Sequence, residues 1–212
     1  MRRASMAGMA TRLIDLRVLE LLTARLCHDL IGPVAAIANG VELLGEDDPE
    51  FVQDAVALVG DSARKANARL QFYRFPYGFR GGGLTGPAPH QLAAEFFAET
   101  AIQCDYGAAA RAMPVDRRKL ACTMLTVASE GLPRGGRLAL GAGDAGPRVE
   151  ASGEGNGPSP ELRAALLLET PVEALTTRTI CAYFAGLIAE AQGLRLTIAA
   201  RSGGFELAAD PA

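Results

Sequence analysis

The sequence predicts an α+β fold in two parts. A long antiparallel helical hairpin over residues 12–80 is followed by an α/β sandwich over residues 88–212. Three observations carry this. Apolar residues recur at spacings of three, four and seven from near the start to about residue 75, the period of an amphipathic helix. A linker by composition, RGGGLTGPAP at residues 80–89, then breaks the pattern. Beyond it, short apolar segments bounded by glycine and proline alternate with helical ones, as in a layered α+β domain.

The first helix spans about residues 12–44. Leu16, Leu19, Leu26, Leu30, Ile37, Val41 and Leu44 trace one stripe, expected to be buried. Asp15 falls in the first turn, where negative charge suits the helix dipole. Pro33 interrupts the run and should kink the helix just upstream. Asp48 then fits as N-cap, with Pro49 at the first position of a second helix reaching about residue 75. Pro76 and Gly78 stop it. Two helices alone cannot cover the apolar stripes of a hairpin roughly 45 Å long. Pairing with a second copy into a four-helix bundle solves this.

The second part reads, in order, as a helix at about 91–100, a strand at 102–106 and a helix at 116–132. A Pro133-Arg134-Gly135-Gly136 turn leads into strands at about 137–141 and 148–151. After a glycine-rich loop come helices at about 160–169 and 172–192, then strands at 194–200 and 204–208. The expected layout is one sheet with helices on one face.

Composition narrows the classes. The 212 residues are 49% apolar and 21% charged, with net charge −3, an ordinary folded protein. No Lys/Arg cluster forms a stripe, so nucleic acid is not an expected partner. Cys27, Cys104, Cys122 and Cys181 form no C-x-x-C pair, which speaks against a zinc site. No secretory signal is read, and the apolar runs read as too short and interrupted to span a bilayer. The expectation is a cytoplasmic protein with reduced thiols, residues 1–11 forming a frayed tail.

Only two histidines are present. His90 follows Pro89 in the linker and reads as a surface or capping residue. His28 lies in Leu-Cys-His-Asp-Leu-Ile-Gly-Pro, about 200° around the helix from Leu26 and so off the apolar stripe. A free imidazole titrates near 6.5, so at neutral pH one ring nitrogen is nucleophilic (roughly, as for model compounds). Ala24, Gly32 and Ala35 lie around His28 and would let a partner helix approach, with Leu21 and Ile31 adding apolar contact. Gly32 costs about 1 kcal/mol against alanine in a helix interior.

His-Asp-Leu-x-x-Pro at residues 28–33 is similar to the phospho-accepting box of two-component histidine kinases, and a hairpin before an α+β domain is that family's layout. The nucleotide motifs depart from it. MLTVASEGLPRGGRLAL at 124–140 resembles the segment holding the magnesium-binding asparagines, but the two positions carry Thr123 and Val127. VEASGEGNGP at 149–158 resembles the Asp-x-Gly-x-Gly loop through Gly155 and Gly157, but Gly153 stands where aspartate would read adenine. The glycine-rich lid has no counterpart in residues 176–186. Such a kinase-derived shell without ATP use resembles the ChpT-type histidine phosphotransferases of alphaproteobacteria. NGVELL at 39–44 and LQFYRFPYG at 70–78 match as well, Pro76 being a slight departure.

The resemblance covers residue 13 to the end. It implies a homodimer in which His28 takes a phosphoryl group from the receiver domain of a hybrid histidine kinase and passes it to response regulators. It implies no cofactor or metal on this chain, with magnesium carried by the receiver. Asp29 is then a candidate to fix the His28 tautomer and Arg25, one turn earlier, to neutralise phosphoryl charge. Two competing readings are a non-catalytic receiver-binding adaptor and an ATP-dependent kinase, the latter disfavoured by the degraded loops.

Overall fold

A computed structural model describes residues 13–45, 48–78, 86–154 and 157–212. The expected tail, most of the linker and Gly155 lie outside them. The hairpin is present as α1 (Leu16–Leu43) and α2 (Pro49–Tyr77). Asp15 is the N-cap of α1 rather than part of its first turn; its side chain accepts from the Arg17 amide at 2.8 Å. Asp48 caps α2 through the Glu50 amide at 2.9 Å, with Pro49 at the first helical position. Pro76 is accommodated in the last turn of α2, and Gly78 is the C-cap.

The second part contains α3 (Pro89–Ala98), β1 (Ile102–Tyr106), α4 (Ala108–Arg111), α5 (Val115–Glu130), β2 (Gly136–Ala142), β3 (Pro147–Ser152), α6 (Pro160–Leu166), α7 (Ile180–Ala191), β4 (Leu194–Arg201) and β5 (Gly204–Pro211). The strands form one sheet in the order β1-β2-β3-β5-β4, with β1–β2 parallel and the rest antiparallel. On β3, Val149 and Ala151 face the core while Glu150 and Ser152 face out.

Three expectations are corrected. The helix predicted over 172–192 is split into a 3₁₀ turn (Val172–Ala174), a bridging segment and α7. Thr179 Oγ1 accepts from the Thr176 amide at 3.0 Å, a local turn that competes with helix. The carbonyls of Val172, Leu175 and Thr177 bond to arginines of α1 instead. Second, His90 belongs to α3, half-buried with its ring edge-on to Tyr106. Third, α1 is long and apolar enough to cross a membrane by length and composition, so the expectation of no such run does not hold.

One core joins both parts. Val18, Leu22, Phe72 and Phe75 of the hairpin enter the cluster built on Leu120, Met124, Leu138, Val149 and Leu207. Phe72 is fully buried and stacks on Phe96 of α3, ring centroids 4.3 Å apart. Farther along the hairpin, packing is thin. Gly40 of α1 is buried, and a Cβ there would lie 2.6 Å from Val59 Cγ2, so any side chain at this position would force Val59 to shift. The predicted stripe is only partly covered: Leu26, Leu30 and Ile37 are half-buried, while Leu16, Leu19, Val41 and Leu44 are exposed. α1 buries instead the neighbouring line through Val18, Leu22 and Gly40.

Candidate functional site

α1 runs unbroken through Pro33, and the turn before that proline carries the site. A helical carbonyl normally accepts from the amide four residues on. Pro33 has no amide hydrogen, so the Asp29 carbonyl lacks its helical donor. Arg69 of α2 fills the gap: its Nη1 donates to that oxygen. One turn farther along α2, Tyr73 donates its hydroxyl to Asp29 Oδ2 at 2.7 Å. Arg25 Nε donates to the same oxygen at 3.1 Å.

Asp29 is therefore fixed at its backbone and at one carboxylate oxygen. The other, Oδ1, lies 3.5 Å from His28 Nδ1, long for a hydrogen bond but in contact range. The His28 side chain is 82% exposed. Its Nδ1 faces the carboxylate, so a proton held there leaves the Nε2 lone pair directed away from it. Burial opposes ionisation of Asp29, but the bonds from Tyr73 and Arg25 and the Arg25 charge outweigh it and hold the carboxyl below its ordinary range.

Arg25 is placed differently from its expected role. Its guanidinium turns inward, to Asp29, to Glu130 Oε1 at 3.1 Å and to the Thr177 carbonyl at 3.4 Å, bridging α1 to the second part rather than flanking the imidazole. At about 100° per residue Arg25 sits some 60° from His28 toward the buried side, where two carboxylates attract it. Ala24, Ile31, Gly32 and Ala35 are exposed around His28, as expected. Leu21 is not free: it is half-buried and packs on the core, adjacent to Leu22, which enters it.

Sequence reading missed Arg69, Tyr73 and Glu130. The signal for the first lay in Pro33, which announces a carbonyl without a helical donor, and in Gly40. An antiparallel register that seats Gly40 on Val59 brings Asp29 to the level of Arg69. Glu130 ends α5, and its approach to α1 is set by how the two parts pack, which periodicity does not reveal.

The nucleotide-motif positions that the structure describes are closely packed. Thr123 and Val127 are fully buried, and the Thr123 hydroxyl bonds the Leu120 carbonyl of its own helix. Gly153 has φ +153°, and a Cβ there would lie 2.7 Å from the Gly135 carbonyl oxygen. A carboxylate at that position would need the backbone to move. Among the described residues no group of three His, Cys, Asp or Glu has metal-binding proximity, and all four cysteines are free thiols.

The helical hairpin is seated on an α/β layer and carries an exposed imidazole beside an anchored carboxylate. The family described as "Histidine phosphotransferase C-terminal domain" matches residues 88–203. The protein phosphotransferase ChpT of Brucella abortus (strain 2308) is 36% identical over 189 residues, spanning 84% of this chain and 88% of that one. A solved structure of a bacterial phosphotransferase is 28% identical, covers 96% of this chain and 100% of that chain, and superposes with a TM-score of 0.75. The chain belongs to the histidine phosphotransferase family, and its class of activity is phosphotransfer.

Proposed function

We propose that this chain is a phosphorelay intermediate whose phosphoryl carrier is His28. The observation that carries the reading is the pairing of a solvent-facing imidazole with a neighbouring aspartate whose carboxylate is held by Arg25 and Tyr73 and whose main-chain carbonyl is held by Arg69. Nε2 of His28 attacks the phosphorus of an aspartyl phosphate on a receiver domain. The N–P bond forms, the P–O bond to the receiver carboxylate breaks, and that carboxylate leaves with the electron pair. Transfer to the next receiver reverses these steps. Asp29 holds the Nδ1 proton and balances the positive ring that forms. Transfer of this type depends on positioning and charge neutralisation.

In this reading the receiver supplies magnesium, and this chain binds neither metal nor nucleotide. Full burial at Thr123 and Val127 supports the second point. Arg25 acts as a positioning residue for Asp29. Ala24, Ile31, Gly32 and Ala35 form the receiver-docking face. The donor is the receiver domain of a hybrid histidine kinase and the acceptors are response regulators.

The working form is a homodimer through the hairpin, in a four-helix bundle. Among the described residues the exposed large apolar side chains all fall in residues 13–70, and beyond Ile31 of the docking face they include Val34, Val41, Phe51 and Val56. In this reading α1 is a bundle helix in a cytoplasmic protein. Incubation with a phosphorylated receiver, with and without His28→Ala, separates transferase from adaptor: acid-labile phosphate on the wild type alone is expected. Labelling of His28 by ATP would overturn the account of the second part.

A further inference from the structure

We propose that Arg69 is a positioning residue for phosphotransfer, supplying the hydrogen bond that Pro33 withholds from the Asp29 carbonyl and thereby fixing the turn that carries His28. This rests on His28 being the phosphoryl carrier. The deficit is dictated by sequence: residue 33 has no amide hydrogen, so the carbonyl of residue 29 has no helical partner. The compensation comes from forty residues away, on the other helix of the hairpin.

Arg69 does not act alone on that turn. Tyr73, four residues later on the same face of α2, holds the Asp29 carboxylate. Main chain and side chain of Asp29 are thus gripped from one helix face. With both ends held, the turn at residue 29 has no freedom to rotate or slide against α2, and the Oδ1-to-Nδ1 approach is kept. A guanidinium suits the task. It stays charged at every working pH, and its fixed fork of donors holds direction as well as distance.

Arg69, Tyr73, Asp29 and Arg25 line one cleft of about 330 Å³ between the hairpin and the second part. Water that enters this cleft solvates the carbonyl once the arginine is gone. Loss of Arg69 then leaves a folded protein whose phospho-accepting turn is held only through the Asp29 carboxylate, its main chain released.

The test is a double-mutant cycle on the full chain: wild type, Arg69→Met, Pro33→Ala and the double variant, with His28→Ala as control. The probe is a receiver domain that labels the wild type, charged with acetyl phosphate. Single-turnover formation of acid-labile phosphate and receiver affinity are read separately. Arg69→Met is expected to slow transfer about tenfold while affinity stays within about twofold. Pro33→Ala restores an amide at position 33, so in that background Arg69→Met changes the rate by less than about threefold. Arg69→Lys, which keeps a charged donor, retains at least about a third of the rate.

An Arg69→Met rate within twofold of wild type overturns the proposal, as does a double variant as slow as Arg69→Met. Should Arg69→Met fold poorly, the same cycle is read in urea midpoints: restoration by Pro33→Ala supports the proposal, and no restoration overturns it. Labelling that survives in His28→Ala overturns the carrier assignment instead, and the midpoint cycle then still decides what Arg69 does.

Discussion

Arg69 donates a hydrogen bond to the main-chain carbonyl of Asp29, the oxygen next to the His28 residue that Pro33 leaves without a helical donor. That contact and the Tyr73 bond place two polar ties between α1 and α2 at the level of the histidine. Toward the hairpin turn the helices meet through small residues, with Gly40, Ala55 and Ser62 buried. The hairpin is anchored at the site and the second part, and lightly packed at its far end.

Two glycines of α1 should respond oppositely to alanine. At Gly40 the added Cβ meets Val59 at 2.6 Å, so Gly40→Ala is expected to destabilise by about 1–3 kcal/mol through overpacking. At Gly32 nothing lies within 4 Å, so Gly32→Ala should stabilise by about 0.5–1 kcal/mol. Urea midpoints measure both. Gly32→Leu should keep that stability yet slow transfer, because its bulk stands on the docking face beside His28.

Arg25 neutralises two carboxylates at once, Asp29 and Glu130, each with its side chain at most one quarter exposed. Arg25→Met should cost about 2 kcal/mol or more, since it leaves two partly buried charges facing each other. Adding Glu130→Gln should recover part of that loss. Chemical denaturation of the single and double variants reads the recovery; a strictly additive pair would show that the contact does not couple the hairpin to α5.

The same pair gives stability a pH signature. The Asp29 carboxyl lies below its ordinary value, so its contribution is full above the ordinary carboxylate range and is lost as pH falls through the lowered one. Glu130 is pushed up by burial, with Arg25 opposing and the Asp29 charge adding. The folded state therefore holds the Glu130 proton longer than the unfolded state, and stability falls as pH rises from about 4.3, the ordinary glutamate value, through the raised one. Midpoints between about pH 3 and 7 should show Glu130→Gln flattening that fall and Asp29→Asn weakening the acid-side loss. A wild-type slope in Glu130→Gln above the ordinary glutamate range would contradict the assignment.

Exposed Val34 and Val41 share one face of α1. If that face closes a bundle with a second copy, Val34→Glu with Val41→Glu should turn a dimer into a monomer in sedimentation velocity. The monomer should keep its fold, since neither side chain enters the core.

Much of this was legible in the chain. Asp48-Pro49 marked the start of α2, and Gly/Pro turns marked every strand of the sheet, because caps and turns are local chemistry. His28 was legible because its neighbours put it off the apolar stripe. The misreadings have a common cause. Leu16, Val41 and Leu44 were expected to be buried, and residues 172–179 to be helical, from periodicity alone. In the fold, α1 turns the adjacent line through Val18 and Leu22 inward, and Arg17 and Arg25 take carbonyls from the 172–177 segment. Arg25 was misplaced for the same reason: its partner Glu130 is 105 residues distant. Long-range polar pairing leaves no period in a sequence.

In the proposed relay His28 carries the phosphoryl group and another protein delivers it. The most direct measurement exposes the wild-type chain and His28→Ala to a phosphorylated receiver and, separately, to labelled ATP, then scores acid-labile, base-stable phosphate. Labelling of the wild type by the receiver alone is expected, and none of His28→Ala. Equal labelling of both proteins, or labelling of His28 by ATP, would contradict it.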